Sequence, residues 1–195
     1  HKFTSYADDS TFFLKDMSSI RELLNTFALF SRYSGLQLNK SKCELAGIGA
    51  KKDVLGESVS KLKKVNLTTD SVKILGIHYS YNTNILEEKN FTTVVKKITA
   101  CLAMWKWRNL SLAGKVTIFK TLAISKIVYV AFLSTIPNSI LRSLSDIQKD
   151  FIWDGKRPKV AHKTLIASYE DGGLKSIDIE AKIKALRLSW ISRLY

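Results

Sequence analysis

From about residue 85 onward the apolar pattern of this chain is helical, and that shift limits what it can fold into. Before it, apolar residues come in short runs bounded by turn-forming residues, over 3–14, 36–45 and 72–79. Such runs predict strands. After it, they recur every three or four residues. One stripe is Phe91, Val94, Val95, Ile98, Leu102 and Trp105. A second is Leu112, Val116, Phe119, Leu122, Ile127, Val130 and Leu133, and a third is Ile140, Leu144, Ile147 and Phe151. That period predicts amphipathic helices, and their short connections predict a bundle. The expected class is α+β: antiparallel strands with a packing helix, then an all-α bundle.

Within the first part, Phe3-Thr4-Ser5-Tyr6-Ala7-Asp8-Asp9-Ser10-Thr11-Phe12-Phe13-Leu14 reads as strand, tight turn, strand, with Asp8 and Asp9 at the tip. Side chains alternate between faces along a strand, but a turn breaks the alternation, so neighbouring carboxylates can converge. Held close, two anions repel unless a cation lies between them. Mg²⁺ takes one or two protein carboxylates and completes its shell with water and phosphate, so it suits such a pair. An acidic turn is also a common solvated turn, and the tetrapeptide alone leaves both readings open.

The next expected element is a helix from about Ser19 to Tyr33, with Ile20, Leu23, Leu24, Phe27, Phe30 and Ser34 on its stripe. Residues 19–22 have the form of a capping box, and Gly35 ends the helix. Residues 36–45 predict a loop, then a strand returning beside the hairpin. Residues 51–66 are polar and Lys-rich, with Leu62 and Val65 as apolar anchors. Over 72–79 a strand is expected, bent at Gly76, with the lone His78 at a surface or between lobes. Residues 80–84 read as a turn. Asn90 and Ser111 are expected to cap the first two bundle helices and Ser139 to begin the third, with Pro137 closing the second and Gly155 stopping the third. Lys156-Arg157-Pro158-Lys159 is a basic loop held extended by its proline, and Gly172-Gly173-Leu174 is a turn. A last helix from about Asp178 carries Ile183, Leu186, Trp190 and Leu194.

A length of 195 residues and an apolar fraction of 46% suffice for a core, and for two small lobes. Net charge is +14. Residues 1–50 hold six bases and five acids, and the remainder holds 25 and 12. A near-neutral segment bearing the carboxylates thus precedes a strongly basic one, whose natural partner is a polyanion such as nucleic acid. Lys97, Lys106, Arg108, Lys115, Lys120 and Lys126 fall on outer faces of the bundle helices. A solvated surface accounts for any one of them, less readily for the set. Cys43 and Cys101 have no CxxC neighbour and read as reduced core thiols of an intracellular, nuclear or cytoplasmic protein, with no zinc site. Lys115, Lys120 and Lys126 punctuate the longest apolar run, so no membrane-spanning segment is expected, nor is a signal peptide. Both ends read as cuts through a larger polypeptide.

Tyr6-Ala7-Asp8-Asp9 resembles the catalytic hairpin of reverse transcriptases. Gly35-Leu36-Gln37-Leu38-Asn39 with Lys42 resembles their next block, and Ile74-Leu75-Gly76-Ile77 resembles the primer-grip turn. Trp107-Arg108-Asn109-Leu110-Ser111-Leu112-Ala113-Gly114-Lys115, Tyr129, Phe151-Ile152-Trp153 and Gly172-Gly173-Leu174 are similar to the thumb and post-thumb of non-LTR (LINE-type) retrotransposon polymerases. The order matches, over nearly the whole chain. The resemblance implies a fragment of an RNA-directed DNA polymerase. Residues 1–85 would be the C-terminal part of the palm with its primer-grip hairpin, 86–155 a helical thumb, and 156–195 a post-thumb loop and helix.

The same resemblance implies roles. Asp8 and Asp9 would be the catalytic carboxylates that hold Mg²⁺, two ions in a complete enzyme. Tyr6 and Ala7 would lie against the primer end, Lys42 near the incoming nucleotide, and Leu75 and Gly76 would place the primer. Lys97, Lys106, Arg108, Lys115, Lys120, Lys156, Arg157 and Lys159 would track the nucleic-acid backbone. Partners would be an RNA template, a DNA primer, deoxynucleoside triphosphates and the rest of the polymerase polypeptide, with no membrane. The chemistry is an in-line displacement at phosphorus assisted by two Mg²⁺ about 3.5–4 Å apart. An ammonium such as Lys42 stabilises or protonates the leaving group, although a buried-strand salt bridge explains this lysine equally well. In this family a further aspartate and the fingers lie upstream, so polymerisation by this chain alone is not expected. No endonuclease constellation and no Cys/His knuckle is present. Two other readings stay open: a non-catalytic basic helical nucleic-acid-binding module, and a group II intron maturase-like protein, which needs a different sequence after residue 90.

Overall fold

The computed structural model describes residues 3–47, 66–67, 71–80 and 82–193. The chain is α+β and divides into two compact units, His1–Asn82 and Thr83–Tyr195.

The first unit opens with β1 (Phe3–Tyr6) and β2 (Asp9–Phe12), antiparallel, with Phe3 opposite Phe12 and Tyr6 opposite Asp9. Phe3 stacks on Phe12 with ring centroids 5.7 Å apart, and Phe12 meets Phe27 edge-on at 5.6 Å. Phe27 belongs to α1 (Met17–Ser34), so this aromatic triplet fastens the hairpin to the helix. The stripe of α1 buries Ile20 and half-buries Leu23, Leu24 and Phe27, but leaves Phe30 exposed. The helix starts earlier than the capping box at 19–22 predicts. Its N-cap is Asp16, which accepts from the Ser19 N–H at 2.9 Å and from the hydroxyls of Ser18 and Ser19. A carboxylate there satisfies an orphan donor and meets the positive end of the helix dipole. Gly35 ends α1 in the left-handed region, at φ 74.

The strand expected beside the hairpin does not form there. Lys40–Lys42 coil into one 3₁₀ turn, closed by the N–H groups of Lys42 and Cys43 on the carbonyls of Asn39 and Lys40. That turn consumes the residues whose alternation suggested a strand. What remains, β3 (Glu44–Leu45), pairs in parallel with β4 (Asn66–Leu67). Among the described residues there are three separate two-stranded sheets. The third is a hairpin of β5 (Val72–Ile74) and β6 (Ile77–Tyr79), so the bend at Gly76 is a full chain reversal. Leu75 and Gly76 close it at φ 48 and 85, the two positive values of a type I′ turn. His78 is half-buried in β6 opposite Lys73. The expectations for Leu62, Val65 and Tyr81 lie outside the described residues.

In the second unit α2 (Thr83–Leu86) runs through a π-helical segment, Glu87–Thr92, into α3 (Thr93–Lys106). Asn90 is therefore buried inside a helix and does not cap one, and helix begins within the turn expected at 80–84. Ser111 does cap α4 (Leu112–Ile118), accepting from the Gly114 N–H at 3.2 Å. A second π segment, Phe119–Ala123, leads into α5 (Ile124–Leu133). Pro137 stands at the N-cap of α6 (Asn138–Trp153), which begins one residue before the expected Ser139, and Asp154 and Gly155 reverse the chain at φ 53 and 73. Then come α7 (His162–Ile166) and α8 (Ile179–Leu188), the latter capped by Asp178 on the Ala181 N–H. Helix α8 stops before Trp190, which stacks on Phe132 at 4.7 Å; Leu194 lies outside the described residues.

The three stripes converge. Phe91, Ile98, Leu102, Phe119, Ile127, Leu144 and Phe151 are buried, each contributing about 1.5–3 kcal/mol by area. Helix α8 packs on α5 and α6, and buried Gln148 donates to the Ile177 carbonyl at 3.0 Å. Residues 156–195 thus belong to the same compact unit as the helices before them, where a separate segment was expected. The continuous helix Leu112–Leu133 has 22 residues, and an 18-residue window within it has mean hydropathy 1.8. It is long and apolar enough to cross a membrane by length and composition, a test that the core helix of a soluble protein also passes. Its apolar face is occupied: Val116, Phe119, Ala123, Ile124, Ile127, Val130 and Ala131 are buried among the neighbouring helices.

Candidate active site and nucleic-acid interface

The β1–β2 turn has two central residues, Ala7 and Asp8, so Asp8 sits at the tip and Asp9 opens the return strand. Cross-strand partners share a face, and the face alternates with each residue. Phe3, Phe12, Ser5 and Ser10 therefore occupy one face, which Phe12 turns toward Phe27 of α1. Tyr6 and Asp9 occupy the opposite face, together with Thr4 and Thr11. The carboxylate of Asp9 thus stands beside an exposed tyrosine on the side away from the helix, with Asp8 next to it at the turn. Both aspartates are exposed, and among the described residues neither makes an ion pair.

Ala7 is held at φ 49. A residue with a Cβ in that region costs of order 1–3 kcal/mol, and glycine is the usual solution at this position of a hairpin turn. Leu75 repeats the pattern at φ 48, with 46% of its surface exposed at the tip of β5–β6. Both turns put a strained non-glycine residue where it contributes nothing to a core.

Lys42 lies in the 3₁₀ turn, exposed, and among the described residues pairs with no acid. It is therefore not a buried strand residue. Cys43 is half-buried, its thiol donates to the Asn39 carbonyl at 3.3 Å, and burial pushes its pKa up. Among the described residues no group of three His, Cys, Asp or Glu side chains is placed to hold a metal, and Asp8 and Asp9 are two adjacent exposed carboxylates.

The predicted backbone-binding bases separate into two kinds. Lys106 pairs with Asp150 and Lys115 with Asp154, joining the end of α3 and the start of α4 to the last turn of α6. The ammonium of Lys115, hydrogen-bonded to Asp154, holds that carboxyl below the usual range, with Lys156 and Lys106 adding to the effect. The charges of Lys106 and Lys115 are thus partnered by acids of the same unit. Lys97, Arg108, Lys156, Arg157 and Lys159 are exposed and, among the described residues, in no ion pair; Lys120 reaches the Lys175 carbonyl at 3.4 Å. Sequence reading missed Asp150 and Asp154 as partners. Their i, i+4 spacing at a helix end was the available signal, but the lysines they meet are some 40 positions away.

No known protein-family model matches the chain.

Proposed function

We propose that this chain is the palm-and-thumb part of an RNA-directed DNA polymerase of the non-LTR retrotransposon type, with Asp8 and Asp9 holding Mg²⁺ at the primer end. The observation that carries this reading is the opening hairpin. Its two-residue turn puts Asp8 at the tip, and its register puts Asp9 beside Tyr6 on the face away from α1. Phosphoryl transfer needs carboxylates on a rigid support with open space for polyanionic substrates. Asp8 and Asp9 fit a hard cation, being adjacent, accessible and not neutralised by a base among the described residues. Bound there, Mg²⁺ supplies charge neutralisation at phosphorus and a lowered pKa for the attacking hydroxyl. The chain's own residues orient the rest. Tyr6 and Ala7 line the primer end, the Leu75-Gly76 turn supports the primer strand, and Lys42 offers an exposed ammonium to the nucleotide phosphates. Exposed apolar side chains of the first unit, among them Phe3, Phe13, Phe30, Tyr33 and Leu36, support its completion by further polymerase sequence.

Mn²⁺ in place of Mg²⁺ tests the site. The expected outcome is paramagnetic broadening of backbone amide signals over residues 6–10, lost in Asp8→Asn, with no primer extension by the isolated chain. Absence of local broadening, or broadening that survives Asp8→Asn, overturns the metal site, and efficient extension overturns the incompleteness. The basic-module reading draws on one observation, that Thr83–Tyr195 has a core of its own. It predicts duplex binding with no metal effect at the hairpin.

A further inference from the structure

One large side chain of the second unit has no structural use. Trp107, the C-cap of α3, is 91% exposed, and Met104 one turn earlier is 74% exposed. Burying an indole stabilises a fold more than burying almost any other side chain, so an indole left in water is available to a partner. Its surroundings say which. Arg108 follows it, with the guanidinium 4.8 Å over the Trp105 ring, which fixes the direction of that cation. The Lys106–Asp150 and Lys115–Asp154 pairs pin this segment to the end of α6, where Asp154 and Gly155 turn the chain into Lys156-Arg157-Pro158-Lys159. Over 105–115 and 149–159 the chain holds seven bases and two acids, and both acids are spent on Lys106 and Lys115.

A bare aromatic face beside uncompensated cations on two adjoining segments matches one ligand chemistry, a stacked base with flanking phosphates. A duplex phosphate backbone has no use for the indole, because paired bases are already stacked inside the helix. We infer that Trp107 is a stacking platform for an unpaired base, and that Arg108 and the 156–159 loop hold the phosphates on either side of it, so that this end of the helical unit binds a single-stranded stretch of nucleic acid. The inference rests on the nucleic-acid-binding part of the proposed function and adds a single-strand site to it.

The test compares binding of the full chain to a fluorescent single-stranded oligonucleotide of about 12 nucleotides, a length within known single-strand site sizes, and to a duplex of the same length. Trp107→Ala is expected to weaken single-strand binding by roughly 5- to 100-fold, the range of one base–aromatic stack, and to leave duplex binding within a factor of two or so. Trp107→Phe keeps a stacking face and is expected to retain most of the affinity. Since the side chain is outside the core, circular dichroism of both variants should match the parent. Equal loss on single strand and duplex, or no loss on either, overturns the stacking site while nucleic-acid binding stands. Binding of neither nucleic acid by the parent chain overturns the underlying reading as well. Trp107-dependent self-association, with single-strand binding unaltered in Trp107→Ala, overturns the inference in favour of a protein interface.

Discussion

Adjacent glycines at 172 and 173 face opposite physical constraints, and substituting each in turn measures how tightly the last segment is bound to the helices before it. At Gly173 an added Cβ would lie 2.1 Å from the carbonyl oxygen of Ala167, 2.4 Å from its carbon and 2.7 Å from the carbonyl oxygen of Thr164. All three are backbone atoms, so no rotamer can relieve the clash, and the two chain segments must part by roughly 1 Å. They are joined where they touch. Gly173 donates to the Ser168 carbonyl at 2.7 Å, Lys175 to Ala167 at 3.0 Å, and Leu174 and Ser176 to Leu165 at 3.1 and 2.8 Å. Parting by that much breaks about two of these bonds, at 0.5–1.5 kcal/mol each, and adds overpacking strain of about 1–3 kcal/mol. It also loosens Leu174 and Trp153 from the cluster of Val116, Ile152 and Leu165. Gly173→Ala is therefore expected to destabilise the second unit by about 3 kcal/mol. Gly172 sits at φ 74 with nothing within 4 Å of the added atom, so Gly172→Ala meets only left-handed strain of about 1 kcal/mol. All four tryptophans lie in Thr83–Tyr195, so selectively excited tryptophan emission in a urea titration follows this unit alone. The midpoint should fall by about 1–3 M for Gly173→Ala and by under about 1 M for Gly172→Ala. Equal shifts for the two variants would refute the close approach.

The hydroxyl of Ser18, with the N–H and hydroxyl of Ser19, holds the Asp16 carboxyl far below the usual carboxylate range. Its contribution to α1 is therefore complete above its unfolded pKa of about 3.9 and is lost as pH falls from there through the lower folded value. The unfolding midpoint of α1, followed by amide signals of residues 17–21, should fall as pH drops from 5 to about 2, and Asp16→Asn, which keeps an acceptor but does not titrate, should abolish that dependence. Binding of a duplex should weaken with salt, and Arg157→Gln or Lys159→Gln should each reduce the log–log slope by about 0.7–0.9. Lys106→Gln, which removes an already compensated charge, should leave that slope unchanged. A larger effect at Lys106 than at Arg157 would invert the assignment of positioning and binding bases.

Local features read well from the chain because they depend on near neighbours. Gly35, Ser111, Asp178 and the Asp154–Gly155 reversal end or begin helices where the residue types say they should, since each acts within one turn of backbone. The helical stripes predicted the core for the same reason: Ile98, Leu102, Leu144 and Phe151 are buried as their spacing requires. Asn90 misled because a capping residue type also serves inside a helix when its polar group is satisfied there. The strand at 44–45 found a partner at 66–67, and no pattern within either pair of residues encodes that choice.

For the candidate site the division is sharper. Sequence alone determined that two adjacent carboxylates stand at a hairpin, because a tight turn between strand-forming runs is a local event. Tertiary packing decided which face Asp9 occupies relative to α1, through the Phe3–Phe12–Phe27 contact that sets the helix against the other side. It also decided which lysines are available to a ligand. Lys106 and Arg108 differ by two positions in the chain, yet only the first meets an acid brought in from α6. Charge is a property of the residue, but whether that charge is already compensated depends on what the fold places beside it.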